Sequence, residues 1–164
     1  MTDRVLVIGY GNVLRTDDGL GRRAAELMAG DPRLDGAEVI DCHQLTPELA
    51  LDVSAADHVI LIDAIHGPAA GTYTIERVEP TGSRQTAISH QVSPAGLLDL
   101  AGELYGSVPI VDLVSVGVES FEFGDRLSRT VEEALPGLID AVVDLVHGRI
   151  GMTAAASIPG PGHA

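Results

Sequence analysis

Val5-Leu6-Val7-Ile8-Gly9-Tyr10-Gly11-Asn12-Val13-Leu14-Arg15-Thr16-Asp17-Asp18-Gly19-Leu20-Gly21 decides the fold of this 164-residue chain. Four aliphatic residues without a polar break read as a strand buried on both faces, as in a parallel sheet covered by helices. The glycine-rich turn then leads into a helical pattern, with Leu20, Ala24, Leu27 and Met28 at i, i+4, i+7 and i+8. Such strand–turn–helix units usually cradle phosphate, because free N–H groups and a helix N-terminus attract anions. Here Asp17 and Asp18 stand where a phosphate would sit, a placement that opposes an anion and favours a cation.

The same alternation continues along the chain. Strands are expected over 38–41, 58–62, 72–78 and 110–116, the fourth with the alternating character of an edge or antiparallel strand. Thr46-Pro47 and Ser93-Pro94 each read as an N-cap followed by Pro at the first helical position. Leu97, Leu98, Ala101 and Leu104 give the second of these helices its apolar face. Thr130-Val131-Glu132-Glu133 fits a capping box opening a last helix, with Val131, Ala134, Leu135, Leu138, Val142 and Leu145 as its stripe. Pro136 should kink that helix and Gly148 should close it. The expected fold is α/β: a three-layer α/β/α sandwich with a mostly parallel twisted sheet of about five strands. One domain over 1–149 is expected, followed by a disordered Gly-, Pro- and Ala-rich tail over 150–164.

Composition narrows the function. The chain is 45% hydrophobic with no Trp, two Phe and three Tyr, so its core must be aliphatic. A net charge of −14 opposes nucleic-acid phosphates. No apolar run reaches membrane-spanning length, and Met1-Thr2-Asp3-Arg4 leads into the strand without a signal-peptide core, so a cytoplasmic protein is expected. A single cysteine, Cys42, excludes an internal disulfide and a Cys-only zinc site.

Ligands of open α/β sheets bind at the carboxyl ends of the strands. That rule selects Asp17 and Asp18 after the first strand, Asp41, Cys42 and His43 after the second, and Asp63 and His66 after the third. A dinucleotide-binding oxidoreductase would use Gly9-x-Gly11, with Asp41 as the ribose acid, but Leu14 occupies the third glycine position. A metal site would draw on Asp18, Asp63 and a histidine, an O/N set suited to a borderline divalent ion. Asp18 as a helix cap and Asp63 as a turn former are the structural alternatives. Cys42 as a nucleophile would need a base from elsewhere, such as His66 or His90, because adjacent His43 points to the opposite face of an extended segment. No Gly-x-Ser-x-Gly elbow occurs.

Gly9-x-Gly11-Asn12-x-Leu14-x-x-Asp17-Asp18-Gly19-x-Gly21, Asp63-Ala64 after a buried strand, and Ser89-His90-Gln91 together resemble the [NiFe]-hydrogenase maturation endopeptidases. Val116-Gly117-Val118-Glu119, followed by the final amphipathic helix, fits the same pattern. The resemblance spans about residues 4 to 147. It implies an endopeptidase that removes the C-terminal extension of a [NiFe]-hydrogenase large-subunit precursor after nickel insertion. It implies further that Asp18, Asp63 and His90 form the metal-recognising catalytic set, with no resident cofactor and nickel supplied by the substrate. Asp18 stands where some members carry Glu. The segment Asp41-Cys42-His43-Gln44-Leu45 departs from a Gly-Gly-Thr-type segment of some relatives and brings His43 near the site as a candidate substrate contact. The alternatives are a dinucleotide-binding oxidoreductase and a non-catalytic, nickel-dependent hydrogenase assembly factor.

Overall fold

The computed structural model describes residues 3–82 and 91–148. Five strands, β1 (Val5–Tyr10), β2 (Glu38–Cys42), β3 (His58–Ile65), β4 (Tyr73–Val78) and β5 (Ile110–Gly117), form one sheet in the order β2-β1-β3-β5-β4. Four helices surround it: α1 (Leu20–Met28), α2 (Leu49–Ala55), α3 (Pro94–Tyr105) and α4 (Arg129–Val146). All neighbours pair in parallel except β4 with β5. The expected edge strand is thus found, and its direction has a simple cause. Residues 66–72 are too few for the crossover of a dozen or more that a parallel return needs, so the chain turns back antiparallel.

Strand alternation splits the core between the two faces of the sheet. Val7, Ile60, Ile62 and Val114 meet Leu20, Ala24 and Met28 of α1 and Val131, Leu135, Leu138 and Val142 of α4. Leu6, Ile8, Val59 and Leu61 meet Ala50 and Val53 of α2 and Leu97, Leu98 and Ala101 of α3. The fold is therefore the expected α/β/α sandwich. Because β1 connects outward to β2 and the chain then returns to β3 on the other side of β1, the strand order reverses between β1 and β3. A crevice opens at their carboxyl ends, where open α/β sheets hold ligands.

Several element ends differ from the sequence reading. The α1 stripe is carried by Leu20, Ala24, Ala25 and Met28, whereas Leu27 is exposed. Leu104 is likewise exposed at the end of α3. Thr46-Pro47 does not cap α2; it forms a preceding turn whose carbonyls receive Leu49 N and Ala50 N, and the helix starts at Leu49. The cap of α4 is Ser128, whose hydroxyl accepts from Val131 N, not Thr130. Ser93 caps α3 as expected, accepting from Gly96 N. Gly148 closes α4 with a left-handed φ of 68°. α4 is helical through Pro136, which faces solvent. The tail from 150 lies outside the described residues.

At the amino edge of the sheet Asp112 is buried between His58 Nε2 (2.7 Å) and Arg77 Nε (3.0 Å). Burial alone would raise its pKa, but the hydrogen bonds from His58 and Arg77 override that and hold it below the ordinary carboxylate range. A carboxylate depressed on folding stabilises above its unfolded pKa, and that contribution is lost as pH falls through the folded value. We expect the urea midpoint to fall between pH 5 and pH 2, and Asp112→Asn to flatten that fall. An Asp112→Asn variant as acid-sensitive as wild type would remove this assignment.

Candidate active site

The glycines of the first turn serve close backbone approach. A Cβ on Gly9 would lie 1.9 Å from the Gly21 carbonyl oxygen. One on Gly21 would lie 2.5 Å from Tyr10 O and 2.7 Å from Ile62 O. Gly11, at φ 148°, would drive a Cβ to 1.8 Å from Asp18 O. β1, the end of β3 and the start of α1 therefore touch through main chain.

The N–H groups of this turn are spent on the protein itself. Gly11 N donates to Cys42 O, Arg15 N to Asn12 O, Thr16 N to Gly124 O, Asp17 N to Ser120 O and Asp18 N to Arg15 O. Asn12 N donates to Asp18 Oδ2 (2.9 Å), and Leu14 N to Asn12 Oδ1 (2.9 Å). A pyrophosphate cradle needs such donors free and convergent. This turn does not offer them, and the dinucleotide reading loses its structural basis.

Asp17 and Asp18, adjacent in sequence, do different work. Asp17 is fully buried. Its carboxylate accepts from Glu119 N (2.9 Å), Ser120 N (3.1 Å), Ser128 N (2.7 Å) and Ser128 Oγ (2.9 Å). Asp17 thus ties the turn after β1 to the 118–128 loop and, through Ser128, to the first turn of α4. The expectation that it presents charge to a ligand is corrected: both carboxylate oxygens accept from protein donors. Thr16 joins the same seam in a left-handed conformation (φ 49°), its hydroxyl donating to Glu122 O at 2.6 Å.

Asp18 is half-buried and points into the crevice side of the turn, with Oδ2 held by Asn12 N. Among the described residues its Oδ1 takes no hydrogen bond. Asp63 lies within β3, which runs three residues further than the sequence reading placed it. By alternation it shares the α2/α3 face with Leu61, and its register partner on β5 is Ser115. Burial pushes the Asp63 carboxyl up and the nearby Asp18 charge adds to it, with partial relief from the facing Tyr10 hydroxyl and the Ala64 N–H. A carboxyl held up by burial beside a second carboxylate makes a site that a cation would relieve.

Tyr10 lies on the same face, one residue beyond the Gly9–Ile62 pair and directly opposite Cys42. Its phenol pKa is raised far above the ordinary tyrosine value, by burial first and then by the Asp63 charge. Sequence reading passed over it as the variable position of Gly-x-Gly.

The other candidates do not join the pair. Asp41 forms an ion pair with Arg22 (3.2 Å) on the α1 side. Cys42 is half-buried, and burial followed by Asp41 pushes its thiol up, which opposes a thiolate nucleophile. His43 is exposed. His66 packs edge-on against Phe121, ring centroids 4.2 Å apart. Among the described residues no three His, Cys, Asp or Glu groups stand close enough to hold a metal. His90 lies outside the described residues. Both flanks of its segment are fixed: Thr81 N and Gly82 N donate to Asp99 Oδ1 on α3, and Val92 N donates to Leu45 O just past β2.

No family model matches the chain. It is 34% identical over 148 residues to the hydrogenase 2 maturation protease of Escherichia coli strain K12, covering 85% of this chain and 88% of that protein. It is 31% identical over 161 residues to the hydrogenase expression/formation protein HoxM of Azotobacter vinelandii, covering 93% and 76%. Among solved structures, the hydrogenase maturating endopeptidase HybD from E. coli superposes with a TM-score of 0.69 at 31% identity, covering 95% of this chain and 97% of that one. The hydrogenase 2 maturation peptidase from Thaumarchaeota archaeon SCGC_AB-539-E09 gives 0.67 at 30% identity, covering 88% and 98%. At these identities, over most of both chains, the chain belongs to the hydrogenase maturation protease family.

Proposed function

We propose that this chain is the endopeptidase that removes the C-terminal extension of a [NiFe]-hydrogenase large-subunit precursor, and that it recognises nickel already seated in that substrate. The observation that carries the reading is the Asp18–Asp63 pair at the β1/β3 crevice, where Asp63 is half-buried with the Asp18 charge nearby. His90 completes the set on the nickel. The nickel is cargo of the substrate, and no cofactor resides in the protease. The cell compartment is the cytoplasm. No described helix is long and apolar enough to cross a membrane, and the net charge of −14 disfavours nucleic acid as partner.

Docking the substrate's nickel on the two carboxylates fixes the neighbouring peptide against the protease, turning an encounter into a positioned reaction. Hydrolysis adds a water across the scissile carbonyl and breaks the C–N bond, so a proton must pass from that water to the leaving amine. We assign that transfer to the carboxylates at the crevice. A nickel-free precursor lacks the charge that offsets their mutual repulsion. Binding is therefore coupled to nickel loading.

Purified precursor incubated with the protease, with and without nickel, gives the test by mass spectrometry of the C-terminal peptide. We expect the nickel-loaded form to lose its extension and the nickel-free form to be cut at least about tenfold more slowly, a coupling of some 1.4 kcal/mol. Equal cleavage of both forms would end the nickel-recognition reading. Stable binding of the loaded precursor with no peptide released would favour the assembly-factor alternative.

A further inference from the structure

Among the described residues one buried side-chain polar atom has no hydrogen-bond partner, the hydroxyl of Tyr10. A buried donor left unpaired is destabilising and calls for a reason. Phenylalanine would fill the same volume without that cost. The position of Tyr10 supplies the reason. It ends β1 at the crevice, stands between Cys42 of β2 and Asp63 of β3, and packs on the α2/α3 core through its ring. The close main-chain contact of Gly9 with Gly21 holds the strand that carries it. Tyr10 and Asp63 thus stand side by side on one face of the sheet, the hydroxyl near enough to act on the Asp63 carboxyl.

We propose that Tyr10 is a positioning residue for Asp63, its hydroxyl donating to the carboxylate oxygen turned away from the substrate when the crevice is filled. The proposal rests on the reading of Asp63 as a site carboxylate. A carboxylate that meets a cation through one oxygen is oriented by what the other oxygen accepts, and such outer partners govern activity without touching the substrate. Asp18 has its own orienting donor already, since Asn12 N holds Oδ2. Asp63 lies inside a regular strand, where the backbone offers it the neighbouring Ala64 N–H and leaves the rest of the carboxylate to side chains. Tyr10 fills that role from the neighbouring strand, its hydroxyl close to the carboxylate and committed to no other partner among the described residues.

The experiment compares wild type, Tyr10→Phe, Asp63→Asn and Cys42→Ser on nickel-loaded precursor, with kcat, KM and the thermal midpoint measured for each. Tyr10→Phe should lower kcat roughly 10- to 100-fold with KM within about twofold, and its thermal midpoint should not fall, because the deleted hydroxyl is buried without a well-formed hydrogen bond. Cys42→Ser, which alters the other neighbour of Tyr10 in the same row, should keep the wild-type kcat. Active wild type, inactive Asp63→Asn and Tyr10→Phe at the wild-type rate would overturn this proposal alone. Loss of activity in Tyr10→Phe matched by a lower thermal midpoint, or an equal loss in Cys42→Ser, would overturn it as a packing effect. A wild-type protein that leaves the precursor intact, or a fully active Asp63→Asn, would overturn the protease or site reading and this proposal with it.

Discussion

Asp17→Ala should cost about 4 kcal/mol of folding stability, the largest loss we expect from any single side chain outside the aliphatic core. The carboxylate is fully buried and accepts from three backbone N–H groups and one hydroxyl. Each such bond to a charged acceptor is worth about 1.5–3 kcal/mol, and the truncation leaves the N–H groups of Glu119, Ser120 and Ser128 without that partner. Water entering the vacated space recovers part of the loss, which is why the expected total is below the sum. Asp17→Asn keeps an acceptor but brings two N–H donors against existing donors, so it should cost roughly half as much or more. Urea titration followed by circular dichroism measures both. A loss under about 1 kcal/mol for Asp17→Ala would show that the seam between the turn and the 118–128 loop is held by something else.

Asp63→Asn and Asp18→Asn should each reduce cleavage of the nickel-loaded precursor at least about 100-fold, the scale on which a positioned acid or base acts. The stability of Asp63→Asn should move the other way. The Asp63 pKa is raised on folding, by burial first, so its ionised form is disfavoured in the folded protein at neutral pH. Neutralising it should leave the thermal midpoint unchanged or higher. The sign follows from linkage: a carboxyl raised on folding weakens the fold above its unfolded pKa, and that penalty fades as pH falls. A site that gains stability when its charge is removed and loses its reaction at the same time carries the usual signature of function held against stability. Stable variants that still cut the precursor at the wild-type rate would exclude both residues from the chemistry.

These two predictions concern adjacent acids of one motif, and the sequence alone did not separate them. Asp17-Asp18 reads as a doublet of charge at a helix start. Only the return of residues 118–128, more than a hundred positions later, turns Asp17 into a buried acceptor. Local spacing carries no trace of that partner. The strands were legible because runs such as Val5-Leu6-Val7-Ile8 can be satisfied only between two helical layers. The edge character of β4 was legible from its alternation, and Ser93-Pro94 from the chemistry of its cap.

Helix faces were harder. A 3.6-residue stripe places Leu27 with Leu20 and Met28, yet the sheet meets α1 where Gly9 and Gly21 draw the backbones together, and there small Ala25 is the residue turned inward. The cap of α4 was displaced by two residues because Ser128 is chosen by Asp17, a tertiary partner, rather than by the residues that follow it. Tyr10 was invisible for a related reason. In the motif it is a spacer, and its meaning depends on which side chains the neighbouring strands set beside it. Asp18 and Asp63 were found from their places at strand ends and from the family resemblance. Their mutual influence is a property of the assembled sheet.

The main-chain contact among Gly9, Gly11, Gly21 and the end of β3 has a metrical consequence. Where two elements meet through side chains, trading a valine for an isoleucine moves them apart by a fraction of an ångström, and the gap between groups they carry drifts accordingly. Here carbonyl oxygen meets Cα, and no intermediate volume exists between a hydrogen and a methyl group. The span from the Asp18 turn to the Asp63 strand is consequently a gauge block with a single length. Substitutions can break it, but gradual change in the calibre of the opening has to come from the loops around it.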